Sequence, residues 1–169
     1  MQLTWDEIQA NAIAFSKKWQ DAKSKEAEAR GFLIDFLRGF GVDEPMQMGD
    51  FEYKVPLTGG KTGYIDYVWK SKIAIEMKTR GKSLDITYNQ LQNYMQHLPH
   101  EDNPDLWLVC DFENIQLCCR STNEIWDFKK KDLRKHIKKF ADIAGYTTER
   151  THENAESLPC SSVVLYVRR

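Results

Sequence analysis

No long apolar run occurs in this chain of 169 residues, and its total charge shows no large excess of either sign. Lys and Arg total 24 against 25 Asp and Glu, a net charge of −1, so the chain is not a polycation and any surface for nucleic acid must be a local patch. No apolar stretch approaches the length of a bilayer span, and Met1 leads straight into a polar segment without a signal-peptide pattern. These features predict a cytoplasmic protein with no membrane partner. Cys110, Cys118, Cys119 and Cys160 contain no Cys-x-x-Cys pair. Cys110 and Cys118 lie in apolar, strand-like runs and read as buried thiols of a reducing compartment. His97, His100, His136 and His152 are scattered, which argues against zinc. Repeats and low-complexity tracts are absent too. What is left, 41% hydrophobic and 29% charged residues, is the balance of an ordinary globular domain.

Along the chain, Thr4-Trp5-Asp6-Glu7 has the form of a capping box and opens a helix to about Gln20. A second helix is expected from Ser24 to Arg38, with Phe32, Leu33, Phe36, Leu37 and Phe40 inward and Gly39 and Gly41 as its stop. Glu28 continues that apolar stripe; such a carboxylate is more often a charge favouring the positive end of the helix than a catalytic group. Met46 to Pro56 reads as a first strand. Leu84 to Leu98 reads as a helix ended by Pro99. Asp105–Asp111 is continuously apolar between its ends, as in a strand buried on both faces, and Asn114–Arg120 is a shorter strand. Lys129–Phe140 has the pattern of an amphipathic helix, with Leu133, Ile137 and Phe140 inward and seven basic residues outward. That face has the composition to track a phosphate backbone, although a solvated face is the commoner meaning. Thr147–Leu158 reads as a polar linker and Ser162–Val167 as a short strand. The order implies an α/β fold, a mixed central sheet flanked by helices, with two helices at the amino terminus.

Chemistry concentrates in Gly59–Lys78. Thr62–Trp69 and Ile73–Met77 are rich in β-branched and aromatic residues and are joined by Lys70-Ser71-Lys72, so they read as paired strands. Alternation puts Asp66 with Tyr64 and Val68, and Glu76 with Ala74 and Lys78. Paired as a hairpin, the strands bring both carboxylates to one spot, with Lys78 roughly 6–7 Å along from Glu76. Two acids and a lysine so placed suit a Mg²⁺ ion, which keeps several waters and takes one or two protein carboxylates plus substrate oxygens. The ammonium can then hold or deprotonate a water and offset developing charge. Glu-x-Lys also occurs on solvated strand edges with no such purpose. Here, however, Glu76 follows the apolar Ile73-Ala74-Ile75, and a buried carboxylate needs a partner or a metal.

An ordered series of residues carries a resemblance. It comprises Leu3-Thr-Trp-Asp-Glu-Ile, Glu28 followed by Phe32-x-x-Asp35-Phe36 and Phe40-Gly41-Val42, and Gly63-Tyr-Ile-Asp-Tyr-Val-Trp-Lys with Ile75-Glu-Met-Lys. It continues with Gln90-x-x-x-Tyr94, Asp111-Phe112 and Ile143-Ala-Gly-Tyr146. The chain thereby resembles the amino-terminal PD-(D/E)xK nuclease domain of single-chain restriction–modification enzymes (types IIG and IIL), in which that domain precedes an adenine-specific DNA methyltransferase. The resemblance implies a restriction-endonuclease-like fold over residues 1–146, with residues 147–169 a linker or the start of a following segment. It implies Asp66 and Glu76 as metal-binding acids, with the Met77 carbonyl as a further ligand, and Lys78 as the residue that positions or activates water. Glu28 would be an additional acid near the metal, and Gln90 a polar residue touching the site. Ile65 stands where the motif has Pro, which leaves the acid that carries the chemistry in place.

The implied activity is Mg²⁺-dependent hydrolysis of DNA phosphodiester bonds, with Mn²⁺ as a substitute. The implied partners are double-stranded DNA and the methyltransferase and target-recognition domains. Neither an S-adenosylmethionine loop nor an Asn-Pro-Pro-Tyr motif occurs in these residues, so sequence specificity is expected from those other domains, in the same chain or a separate subunit. Cutting both strands would call for two sites, hence a dimer or a transient pairing on DNA. Lys61, Lys70, Lys72, Arg80 and Lys82 surround the motif as candidates for backbone contacts. The alternative is the same fold kept as an inactive module that binds nucleic acid or docks on a methyltransferase.

Overall fold

Thr4 caps the first helix as its sequence predicts. Its hydroxyl accepts the Glu7 N–H at 3.2 Å, and the Glu7 carboxylate accepts the Thr4 N–H at 2.8 Å. In this computed structural model, which describes residues 2–149 and 164–167, α1 then runs Trp5–Lys18 and buries Ile8, Ala12 and Phe15. Ser24 caps α2 (Lys25–Gly39), whose buried side includes Phe32, Leu33, Phe36 and Leu37, and the chain leaves it through Gly41 at φ 88°. The strand expected from Met46 begins later. Pro45 starts a single helical turn, α3 (Pro45–Met48), and β1 follows as Asp50–Pro56.

Six strands form one sheet in the order β1-β2-β3-β4-β5-β6, with β2 Thr62–Trp69, β3 Ile73–Met77, β4 Leu106–Cys110, β5 Asn114–Cys119 and β6 Glu124–Lys129. All neighbours are antiparallel except β3 and β4. A parallel pair needs a long crossover, and α4 (Leu84–Met95) supplies it. The α/β fold with a mixed sheet flanked by helices is therefore as expected. Every residue of β3 and β4 is buried, which explains their continuous apolar character.

The basic segment departs from expectation. Lys129 ends β6, and residues 130–140 form two 3₁₀ turns, Lys130–Lys135 and Ile137–Phe140, rather than one amphipathic α-helix. Leu133, Ile137 and Phe140 are buried as anticipated, but so is Lys130, only 4% exposed. Its N–H bonds the Glu113 carbonyl at 2.8 Å, its carbonyl accepts from the Ser16 hydroxyl at 2.8 Å, and its ammonium donates to the Trp19 carbonyl. Three anchors at one residue hold the chain there in tight turns, while Lys129, Lys131, Arg134, Lys135 and Lys138 stay exposed.

Two cores result. The larger lies between the sheet and α1, α2 and the 3₁₀ turns, where Phe32 packs edge-on to Trp19 and Phe112 and Phe36 packs edge-on to Phe140. The smaller lies under α4 and joins Val55, Ile65, Ala74, Leu91, Met95 and Val109. Tyr146 closes the larger core by stacking on Trp5 at 4.4 Å. The segment expected as a linker starts as a strand, β7 (Tyr146–Glu149), paired with β8 (Val164–Val167), which falls within the strand expected at 162–167. Residues 150–158 of that expected linker, and Cys160, lie outside the described residues.

Candidate active site

Asp66 and Glu76 meet because the β2–β3 ladder opens where they stand. Tyr67 faces Ile75 and Val68 faces Ala74, and one step further the pairing stops. There the side chains take over. The Asp66 N–H donates to Glu76 Oε2 at 3.2 Å, and the Met77 N–H donates to Asp66 Oδ2 at 2.7 Å. Each carboxylate thus closes the gap left by the other strand, which fixes both without consuming all their oxygens.

The alternation expected along β2 breaks at this point. Strict alternation would put Ile65 and Tyr67 on one face, yet Ile65 packs in the smaller core and Tyr67 in the larger. Their β1 partners, Tyr53 and Phe51, divide the same way. Between them Glu52 has φ 51°, the left-handed region that side chains rarely adopt. Asp66 therefore sits at a twist in two adjacent strands rather than midway along a regular one.

A cation already bridges the acids. Lys25, the first residue of α2, places Nζ 2.9 Å from Asp66 Oδ2 and 3.0 Å from Glu76 Oε1. Glu76 is 2% exposed, and burial, reinforced by the charge of Asp66, pushes its carboxyl above the ordinary value. Burial works to lower the Lys25 ammonium, but the charges of Glu76 and then Asp66 outweigh it and raise the group overall. Lys78 lies alongside, with Nζ 3.9 Å from Glu76 Oε1, and donates to Gln90 Oε1 at 3.2 Å. Gln90 in turn donates to the Tyr94 hydroxyl at 2.7 Å. Tyr94 fits there because Gly63 has no side chain: a Cβ at Gly63 would fall 2.7 Å from the Tyr94 ring.

Asp66, Glu76, Lys78 and Gln90 are thus brought together, with Met77 contributing its N–H to Asp66. Glu28 is used differently. Its carboxylate accepts the Lys23 and Ser24 N–H groups at 2.9 Å each, and these bonds hold it below the usual carboxylate range. It ties the turn leading into α2 instead of bonding the acid pair, the helix-end role that its position also allowed. Of the surrounding cations, Lys70 pairs with Asp102 at 3.1 Å and Lys72 with Asp142 at 2.7 Å. Arg80 clamps the α1–α2 turn through the Gln20 and Ala22 carbonyls at 2.8 and 3.1 Å. Lys61 and Lys82 are exposed, with no ion pair among the described residues.

Spacing gave no hint of Lys25, because nothing in the sequence shows which residue of a neighbouring helix lies over a strand end. Asp111, part of the series that carries the resemblance, has partners that spacing does not show either. It is 2% exposed, and its carboxylate receives the N–H groups of Gly81, Glu113 and Asn114 at 3.2, 3.1 and 2.6 Å. It anchors the loop after Lys78 to the β4–β5 turn. Among the described residues no set of three His, Cys, Asp or Glu converges as a metal cage. Two carboxylates do, which is the number that a Mg²⁺ sharing its sphere with waters and substrate needs. The ammonium between them marks a place where positive charge is stabilised.

Residues 10–164 match the family described as MmeI, N-terminal domain, nearly the whole of the chain. No curated protein matches. The fold is similar to part of a cryo-electron-microscopy structure of a DrdV–DNA complex, with a TM-score of 0.53 and 15% identity over 80% of this chain and 14% of that one. At that identity the likeness concerns the fold, and this chain spans about a seventh of that protein's length. The opened β2–β3 ladder, its paired acids and its lysine stand in a chain that belongs to the family of the MmeI N-terminal domain, the amino-terminal nuclease domain of a type IIG restriction enzyme.

Proposed function

We propose that this chain is a Mg²⁺-dependent DNA endonuclease domain of a restriction–modification system. The observation that supports this most is the convergence of Asp66 Oδ2 and Glu76 Oε1 on one cation position, 2.9 and 3.0 Å from the Lys25 ammonium, with Lys78 beside them. Asp66 and Glu76 would hold the divalent ion, with the Met77 carbonyl as a further donor, and Mn²⁺ would substitute for Mg²⁺. When bound, the ion supplies Lewis acidity to a phosphate oxygen and lowers the pKa of water. The protein's own part is positional. Gln90, braced by Tyr94, aims the Lys78 ammonium at the space beside Glu76, where it orients an attacking water and offsets charge gathering on the phosphate. Exposed Lys61 and Lys82 add sequence-independent attraction for the DNA backbone. Target recognition, and the methyl transfer that protects host DNA, would belong to further domains or subunits, as the family resemblance implies. Cleavage of both strands brings two such domains together on the duplex.

Incubating the purified chain with supercoiled plasmid and Mg²⁺ or Mn²⁺ tests this. Metal-dependent nicking that disappears in Asp66→Ala and in Lys78→Ala is expected. Nicking unchanged in either variant would sink the site assignment. A chain that binds DNA with and without Glu76→Ala equally well, and never cuts, would instead be an inactive docking module of the same fold.

A further inference from the structure

Lys25 has no local reason to stand where it does. As the first residue of α2 it puts a positive side chain at the positive end of a helix, the unfavourable end for a cation. The compensation is tertiary: its ammonium bridges Asp66 and Glu76 across the opened ladder. The turn from which it springs is built to deliver it. Glu28 accepts the Lys23 and Ser24 N–H groups, Arg80 grips the Ala22 and Gln20 carbonyls, and the Arg80 N–H bonds the Lys23 carbonyl at 3.0 Å. Lys25 is nevertheless not locked in, since its side chain is 29% exposed and Glu76 beneath it only 2%.

We propose that Lys25 is a built-in counter-ion that holds the two carboxylates together in the metal-free protein and must leave before a divalent cation can bind the same oxygens. This inference rests on the metal site proposed above. Without the ammonium, a buried carboxylate would face a second carboxylate with nothing between them, a costly arrangement. With it, the acids are satisfied and the ladder stays open in its working shape. The ammonium and a divalent ion cannot share one position: an ion held by both acids would take the space between Asp66 Oδ2 and Glu76 Oε1 that Nζ fills at 2.9 and 3.0 Å. Every metal-binding event therefore displaces Lys25, and the measured metal affinity is weakened by the strength of its hold. The flexible four-carbon stem and the partial exposure give the displaced ammonium a path to solvent.

The test is direct Mn²⁺ binding to the full 169-residue chain, read from the electron-paramagnetic-resonance signal of free Mn²⁺, with thermal melts in chelator and in saturating Mn²⁺. Lys25→Met should bind Mn²⁺ at least about tenfold more tightly than the unaltered chain, the size of one neighbouring charge acting on a carboxylate. It should also melt lower in chelator and recover when Mn²⁺ is added. Lys25→Gln, which keeps a hydrogen-bond donor without the charge, carries the same comparison should the Met variant not fold without metal. Binding that Asp66→Asn abolishes but that neither Lys25 variant strengthens would overturn the counter-ion role and leave the metal site standing. Absence of Mn²⁺ binding in the unaltered chain and in both Lys25 variants would overturn the metal site and the counter-ion together.

Discussion

The two faces of the sheet are built on opposite terms. One is thick: α1, α2 and the 3₁₀ turns cover it with an aromatic core around Phe15, Phe32, Phe36 and Phe140, against which the buried Lys130 sets its ammonium 5.9 Å from the Phe32 ring. The other is thin: among the described residues α4 is the main cover over Ile65, Ala74 and Val109, with Leu91 reaching down from it. Charge collects at the end of the thin side, where the first turn of α2 reaches Asp66 and Glu76. Burial on the thick side stabilises the fold well enough that the thin side can keep two acids together and leave the Lys78 side chain about a quarter exposed. On the proposed reading, stability and chemistry are divided between faces, and each should yield to perturbation without the other.

The largest separation should come from Lys78→Ala. We expect plasmid cleavage to fall by roughly two to four orders of magnitude, the range of a lost acid–base or charge-stabilising group, with the melting temperature almost unmoved. A large loss of stability in that variant would break the division. Phe32→Ala tests the other side. Phe32 is 2% exposed and touches Phe15, Trp19 and Phe112 with ring centroids 4.8, 5.8 and 5.1 Å away. Its loss should cost about 3–5 kcal/mol in urea unfolding while the remaining folded fraction still cuts.

Gly63→Ala sharpens the comparison from the boundary. A new Cβ would meet the Tyr94 ring at 2.7 Å, so the ring must shift, at a cost of about 1–3 kcal/mol. Because Tyr94 braces Gln90 and Gln90 aims Lys78, cleavage should fall further than the stability loss alone explains. A single-turnover rate set against a melt separates the two. The smallest effect concerns Tyr67, whose hydroxyl donates to the Pro45 carbonyl at 2.8 Å in the thick core. Burial, helped by the charge of Asp50, pushes its phenol up to about 12. The unfolded chain loses that proton near the ordinary value of about 10, so this contribution to stability is whole below pH 10 and disappears as pH climbs toward 12. The urea midpoint should drop from the lower to the upper side of that window, and Tyr67→Phe should flatten the slope.

The capping box at Thr4, the α2 stripe and the two motif strands were legible because each depends on neighbours in sequence. The same holds for the acid–acid–lysine set, since a hairpin register follows from the pattern and turn of its own two strands. The segment after Glu124 was not legible. Leu133, Ile137 and Phe140 recur at a spacing that serves a helix or successive 3₁₀ turns equally well. What decides is Lys130, held by Trp19, Ser16 and Glu113, residues from distant parts of the chain. Glu28, an additional acid by resemblance, accepts bonds from the Lys23 and Ser24 backbone, partners that its position in the stripe does not reveal.

By itself, then, the sequence determined the Thr4 cap, the order of α1, α2, α4 and strands β1 to β5, and which two strands carry Asp66 and Glu76, with Lys78 directly after the second. Those are short-range matters of propensity, periodicity and spacing. Only the tertiary structure decided that the ladder opens at those acids, that Glu52 twists the neighbouring strand there, and that Lys25 fills the gap between them. A carboxylate pair buried at a strand end must find its counter-charge from whatever element packs over it, and packing is settled by the whole chain.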